Sequence, residues 1–181
     1  MYDFWYRLGT SITCDTVYSL CCTEKDTLDW CKKLSYETAK ENAKLLGKLS
    51  CNNPMITFDI VISNIRNYSN LIDLTLIGLD YCYPLSLDCI AYTVIRQKMD
   101  YNKNKIEETG IVSVWLQNLA SFTGQFLKKR HSVDLNGIFI YLLNHIKLGQ
   151  TPEMRLLRDI ILHMSGWVSL DMTEMTENQV E

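Results

Sequence analysis

The chain has 181 residues, of which 47% are hydrophobic and 22% charged, with a formal net charge of -3. A chain of this size buries roughly 70% of the surface it exposes when unfolded, so a single core suffices without disulfide staples. The slight acidity excludes the strongly basic balance of an autonomous nucleic-acid binder, and the apolar runs fall far short of the roughly 20 residues that span a bilayer.

Only three prolines and eight glycines are present, which favours long helices over a strand-and-turn fold. Residues 1–23 are aromatic and cysteine-rich without a sustained period. Trp5, Tyr6 and Tyr18 need cover, so this stretch is expected to be an arm packed on a neighbour. From residue 24 the pattern turns helical. Leu28, Cys31 and Leu34 give a short amphipathic set, and Thr38 with Glu41 has the spacing of a capping box ahead of a helix to about Leu49. Asn53-Pro54 is a start signal, because Pro is tolerated where the helix leaves an N–H unpaired anyway. Phe58, Val61, Ile62 and Ile65 then share one face. Leu71–Leu79 is apolar almost all round, as in a helix covered on most sides.

Four further segments repeat the i, i+3, i+4, i+7 rhythm of half-buried helices. The first carries Leu87, Ile90, Ala91, Val94 and Ile95. The second carries Val112, Trp115, Leu116, Leu119, Thr123, Phe126 and Leu127. The third carries Leu135, Ile138, Phe139, Leu142, Leu143 and Ile146, and the fourth Met154, Leu157, Ile161 and Met164. Asp134 and Thr151-Pro152-Glu153 supply helix starts, while Gly149 and Gly166 supply stops. Short connections predict helix hairpins over 54–80, 86–128 and 134–165. The expected fold is therefore all-α: stacked antiparallel helix hairpins in a MIF4G/HEAT-like α-solenoid spanning 24–175. Thr176 and Gln179 have capping-box spacing close to the last residue, so 176–181 reads as the start of a truncated helix and the chain as a fragment.

No catalytic constellation is legible. There is no glycine-rich phosphate loop, no H-E-x-x-H and no G-x-S-x-G. His131, His145 and His163 fall one per element, and the seven cysteines are odd in number with no C-x-x-C. The cysteines read as reduced thiols of an intracellular protein. No enzyme activity, cofactor or metal is expected.

Two basic stretches are candidate partner or RNA surfaces. Arg96, Lys98, Lys103 and Lys105 flank Tyr101 in a polar segment, a pattern that can hold RNA by phosphate charge and base stacking but that equally describes a solvated loop. Lys128, Lys129 and Arg130 can bind phosphate, although a helix C-terminus satisfying its dipole explains them too. Trp167, next to Gly166 at a helix end, is a candidate partner contact.

Several runs resemble a known family. Gly47-Lys48-Leu49-Ser50 leads into Asn53-Pro54, Phe58-Asp59, Ile62-Ser63 and Tyr68-Ser69-Asn70-Leu71-Ile72. Leu87-Asp88 and Ala91-Tyr92 follow, then Trp115-Leu116-Gln117-Asn118-Leu119-Ala120-Ser121-Phe122, Val133-Asp134-Leu135 and Met164-Ser165-Gly166. In order and spacing these resemble the THO complex subunit 2 family, from about Asp29 onward. The resemblance implies a central MIF4G-like stretch of a long helical scaffold in the nuclear transcription-export assembly that packages mRNA. It implies partners among the other THO subunits, RNA reached through the complex, and a DEAD-box export ATPase that the scaffold holds and stimulates. Direct RNA binding through the basic loop and a purely architectural role are the alternatives.

Overall fold

A computed structural model describes residues 14–98, 113–130, 133–149 and 152–165. Among them lie eight α-helices and no strand: α1 (Cys14–Lys32), α2 (Ala39–Asn52), α3 (Pro54–Asn67), α4 (Leu71–Gly78), α5 (Pro84–Lys98), α6 (Val114–Lys129), α7 (Asn136–Lys147) and α8 (Glu153–Ser165), with a 3-10 turn at Leu79–Tyr81. The all-α solenoid expected from the stripes is present.

The helices stack in two layers. Odd-numbered helices pack α1 on α3 on α5 on α7, and even-numbered helices pack α2 on α4 on α6 on α8. Contacts of α6 with α8, α3 with α5, α1 with α3 and α2 with α4 are heavier than those inside the hairpins 54–80, 86–128 and 134–165. The hairpins set the order of the chain, and the stacking of neighbouring hairpins supplies most of the burial, as in other helical-repeat proteins.

Helix α3 is the hub, touching α1, α2, α4, α5 and α6. The expected face of Phe58, Val61, Ile62 and Ile65 is buried throughout, each side chain contributing about 1.5–3 kcal/mol relative to exposure. On the same helix Arg66 is buried, its guanidinium 4.5 Å from the ring centroid of Trp115. Arg66 Nη1 donates to Gln97 Oε1 at 3.2 Å, and Gln97 Nε2 donates to Asp59 O at 2.6 Å and Oδ1 at 2.9 Å. This network joins α3, α5 and α6. Burial raises the Asp59 carboxyl above its ordinary range, against the lowering effect of the Gln97 hydrogen bond and the Arg66 charge.

A second buried polar link joins α5 to α8. Lys98 Nζ donates to Glu153 Oε2, and their side chains are only 1% and 0% exposed. Nearby, α6 and α8 come close because Gly124 has no side chain. A Cβ there would lie 2.8 Å from Asp159 O and 2.5 Å from His163 Cδ2.

Several expectations are corrected. Helix α1 runs unbroken from Cys14 through residue 23 to Lys32, while residues 1–13 of the expected arm lie outside the described residues. The capping box does not form: Thr38 Oγ1 accepts a 2.8 Å bond from Asn42 Nδ2 and meets Ser35 Oγ at 2.8 Å, leaving α2 without a side-chain cap. Asn53 likewise makes no cap bond, its Nδ2 donating instead to Thr23 Oγ1 at 3.0 Å. Asp134 stands one residue before the N-cap Leu135 rather than at it, and its Oδ1 accepts the Asn136 N–H at 2.9 Å. Gly149 takes φ +79° past the end of α7, the left-handed stop expected of it.

The largest correction concerns α8. Met154 and Ile161, placed on the buried stripe, are 52% and 54% exposed, and Met164 is exposed as well. The face turned inward carries Glu153, Leu156, Asp159 and Ile160. Both faces of this helix hold aliphatic side chains, so periodicity alone does not choose between them. The Lys98–Glu153 pair and the close approach at Gly124 select the inward face. Leu143 on α7, also placed on a stripe, is exposed too.

Candidate partner-binding surfaces

Of the nine candidate contact residues, five lie among the described ones. Arg96 bonds Asp59 Oδ2 through Nη2 at 3.2 Å, and burial lowers its pKa. Lys98 is interior, as described, and presents no charge outward. Lys129 Nζ donates to Leu76 O at 2.9 Å and Asp80 Oδ2 at 3.0 Å, while Arg130 pairs with Asp80 Oδ1. Lys128 is exposed and is the one candidate cation among the described residues without a carboxylate partner. Tyr101, Lys103, Lys105 and Trp167 lie outside the described residues, as do His131 and the segment 176–181.

The structure therefore brings Lys128, Lys129 and Arg130 together with a neutralising carboxylate from the 3-10 turn. Lys128 and Lys129 border a hollow of about 510 Å³ with Leu76 and Gln125, closed on one side by His163 of α8. Asp80 is invisible as a partner in the sequence because it lies 49 and 50 residues away from Lys129 and Arg130. Paired in this way, two of the three cations offer a weaker field to phosphate than their spacing suggests.

A second concave surface was missed by the sequence reading. A groove of about 300 Å³ lies between α5 and α7, lined by Asp88, Ala91, Tyr92, Ile95, Asp134, Gly137 and Ile138. A signal for it exists: Asp88, Ala91, Tyr92 and Ile95 follow i, i+3, i+4, i+7 on α5. It is hidden because these residues also serve the apolar stripe and the family runs, and so do not stand out as one face.

Among the described thiols Cys89 is buried and Cys22, Cys31 and Cys82 are half-buried. Cys21, Cys22, Cys31, Cys51, Cys82 and Cys89 are free. Burial pushes Cys31 and Cys89 up to about 11 and raises Cys82 as well. Such thiols stay protonated near neutrality and are poor nucleophiles. His145 packs against Tyr141 with ring centroids 4.3 Å apart. Among the described residues no helix is long and apolar enough to cross a membrane.

Comparison with known proteins gives a consistent picture. The family model described as "Transcription- and export-related complex subunit" (Thoc2) matches residues 46–120. THO complex subunit 2 of Homo sapiens is 35% identical over 152 residues, covering 83% of this chain and 9% of that protein. The Arabidopsis thaliana subunit is 34% identical over 158 residues, covering 86% of this chain and 8% of its own length. The Saccharomyces cerevisiae subunit is 22% identical over 155 residues, covering 85% and 10%. The chain thus spans about a tenth of the length of the curated relatives it matches.

Proposed function

The chain belongs to the THO complex subunit 2 family, and we propose on that premise that it is a stiff scaffold segment of a nuclear transcription-export assembly, holding a DEAD-box ATPase and stimulating it during mRNA packaging. Its work in this reading is mechanical rather than catalytic. An activator of a two-lobed ATPase acts by binding one relative orientation of the lobes better than the others, which shifts their population. Such differential binding needs a body that does not bend to follow either lobe.

The observation that carries this reading is the cross-linking of the stack by buried polar contacts. The Lys98–Glu153 pair joins α5 to α8, and the Asp59–Gln97–Arg66 network with Trp115 joins α3, α5 and α6. Buried polar links have defined geometry, and breaking one exposes the desolvation cost of its partner. They favour one arrangement of helices over a sliding apolar stack.

Direct RNA binding is the second reading. It is weakened by the pairing of Lys129 and Arg130 with Asp80 and by the burial of Lys98. A pull-down with a DEAD-box export ATPase, followed by ATP hydrolysis with and without the chain, tests the first reading. Capture of the ATPase and a faster turnover support it; a folded chain that neither binds nor stimulates ends it for this segment.

A further inference from the structure

We propose that the groove between α5 and α7 receives an arginine side chain presented by a partner protein. The floor is built from small residues. Ala91 from α5 and Gly137 from α7 both line the trough and fill little of it, having one methyl and no side chain. A Cβ at Gly137 would meet only Ile95 Cδ1, at 3.9 Å. Ile95 and Ile138 supply an apolar base, and Tyr92 supplies an aromatic wall.

The rim carries the charge. Asp88 projects from α5 and Asp134 from the start of α7, both exposed. Neither has a cationic partner among the described residues, and Asp134 accepts only the Asn136 N–H there. Elsewhere in the stack Asp29, Asp59, Asp80, Asp159 and Glu153 have such partners, whereas Asp26, Glu41 and Asp73, among others, share the unpaired state of Asp88 and Asp134 but line no such groove. An apolar trough with a carboxylate on each side matches a long alkyl stem ending in a cation. Arginine fits better than lysine, because its planar fork can engage carboxylates on two sides and its flat face can lie against an aromatic ring. The same charges disfavour a nucleic-acid backbone, so the occupant is a protein segment. This assignment depends on the groove alone and not on which partner the scaffold holds.

The test is methyl NMR on the 181-residue chain, following Ile95 and Ile138. The probes are the peptide acetyl-Ala-Leu-Arg-Leu-Ala-amide, the same peptide with citrulline for arginine, and a decauridylate RNA. Citrulline keeps the shape and removes the charge. The arginine peptide should shift both methyls saturably, and the citrulline peptide should bind about tenfold more weakly, equivalent to about 1.4 kcal/mol. The double variant Asp88→Asn, Asp134→Asn should lose the same factor while unfolding at the wild-type temperature, since an amide side chain at the start of α7 keeps an oxygen for the Asn136 N–H. Filling the trough with Gly137→Leu should abolish the shifts in a chain whose helical circular dichroism is unchanged. Equal binding of the two peptides, no shift at millimolar peptide, shifts confined to other methyls, or the same shifts from the RNA would each overturn the proposal.

Discussion

Two helix pairs at the same end of the stack meet in opposite ways. Helices α6 and α8 press together until the backbone of Asp159 fills the space where Gly124 lacks a side chain. Helices α5 and α7 stand apart around Gly137, where nothing but the tip of Ile95 comes within 4 Å of a built Cβ. One glycine is a contact and the other is an opening. In the first pair the small residue serves burial; in the second it leaves a concave surface whose rim carboxylates have no cationic partner among the described residues. A helical repeat that has to stay rigid and still bind something uses both, in different layers.

This contrast can be broken at the tight pair with large effects. Replacing Glu153 by Ala leaves the Lys98 ammonium buried beside α8 and should cost about 3–5 kcal/mol in urea unfolding. Replacing both partners by Met and Leu should recover most of that loss. The double variant separates the worth of the pair from the cost of removing one partner alone.

The orientation of α8 is tested next. Ile160→Ala, on the inward face, should cost about 2–5 kcal/mol, while Ile161→Ala, one residue along but outward, should stay within about 0.5 kcal/mol. Similar losses at both positions would contradict the observed face.

The two glycines give a direct pair of opposite signs. Gly124→Ala should destabilise by about 1–3 kcal/mol, because the helices must move apart to admit the methyl. Gly137→Ala should stabilise by about 0.5–1 kcal/mol, since it removes backbone freedom from the unfolded chain and meets no obstruction in the folded one.

A small stability effect is expected at the basic edge. Asp80→Asn breaks two exposed ion pairs and should change stability by less than about 1 kcal/mol. It should also raise the salt-dependent affinity for single-stranded RNA, measured by fluorescence anisotropy, by freeing Lys129 and Arg130. Unchanged anisotropy would mean that these cations do not meet RNA even when released.

What the sequence revealed and what it concealed follow a physical line. The stripes of α3, α5 and α6 were legible because their apolar side chains recur at helical spacing, and a single period identifies each. The face of α8 was not, because Leu156, Leu157, Ile160 and Ile161 offer aliphatic side chains on both sides. Its orientation depends on Lys98, 55 residues away. The same long range explains the basic edge, where local spacing displays the cations and conceals Asp80. Helix starts were legible at Pro54 and, to within one residue of the N-cap, at Asp134, whose effects are local. They failed at Thr38 and Asn53, whose side chains found other partners across the turn or in α1. The groove needed two helices to exist and could be seen from one only as the unassembled half Asp88, Ala91, Tyr92 and Ile95.

Under the proposed function, a rigid stack that holds both lobes of a DEAD-box ATPase in one orientation would gain from touching the two together. Calorimetric titration of the chain into the two-lobed ATPase, and separately into each isolated lobe, tests this most directly. The expected result is binding to the whole ATPase at least about tenfold tighter than to either lobe, as when two contacts share one rigid body. Binding to a single lobe with the full affinity, or no heat with any of the three, would contradict it.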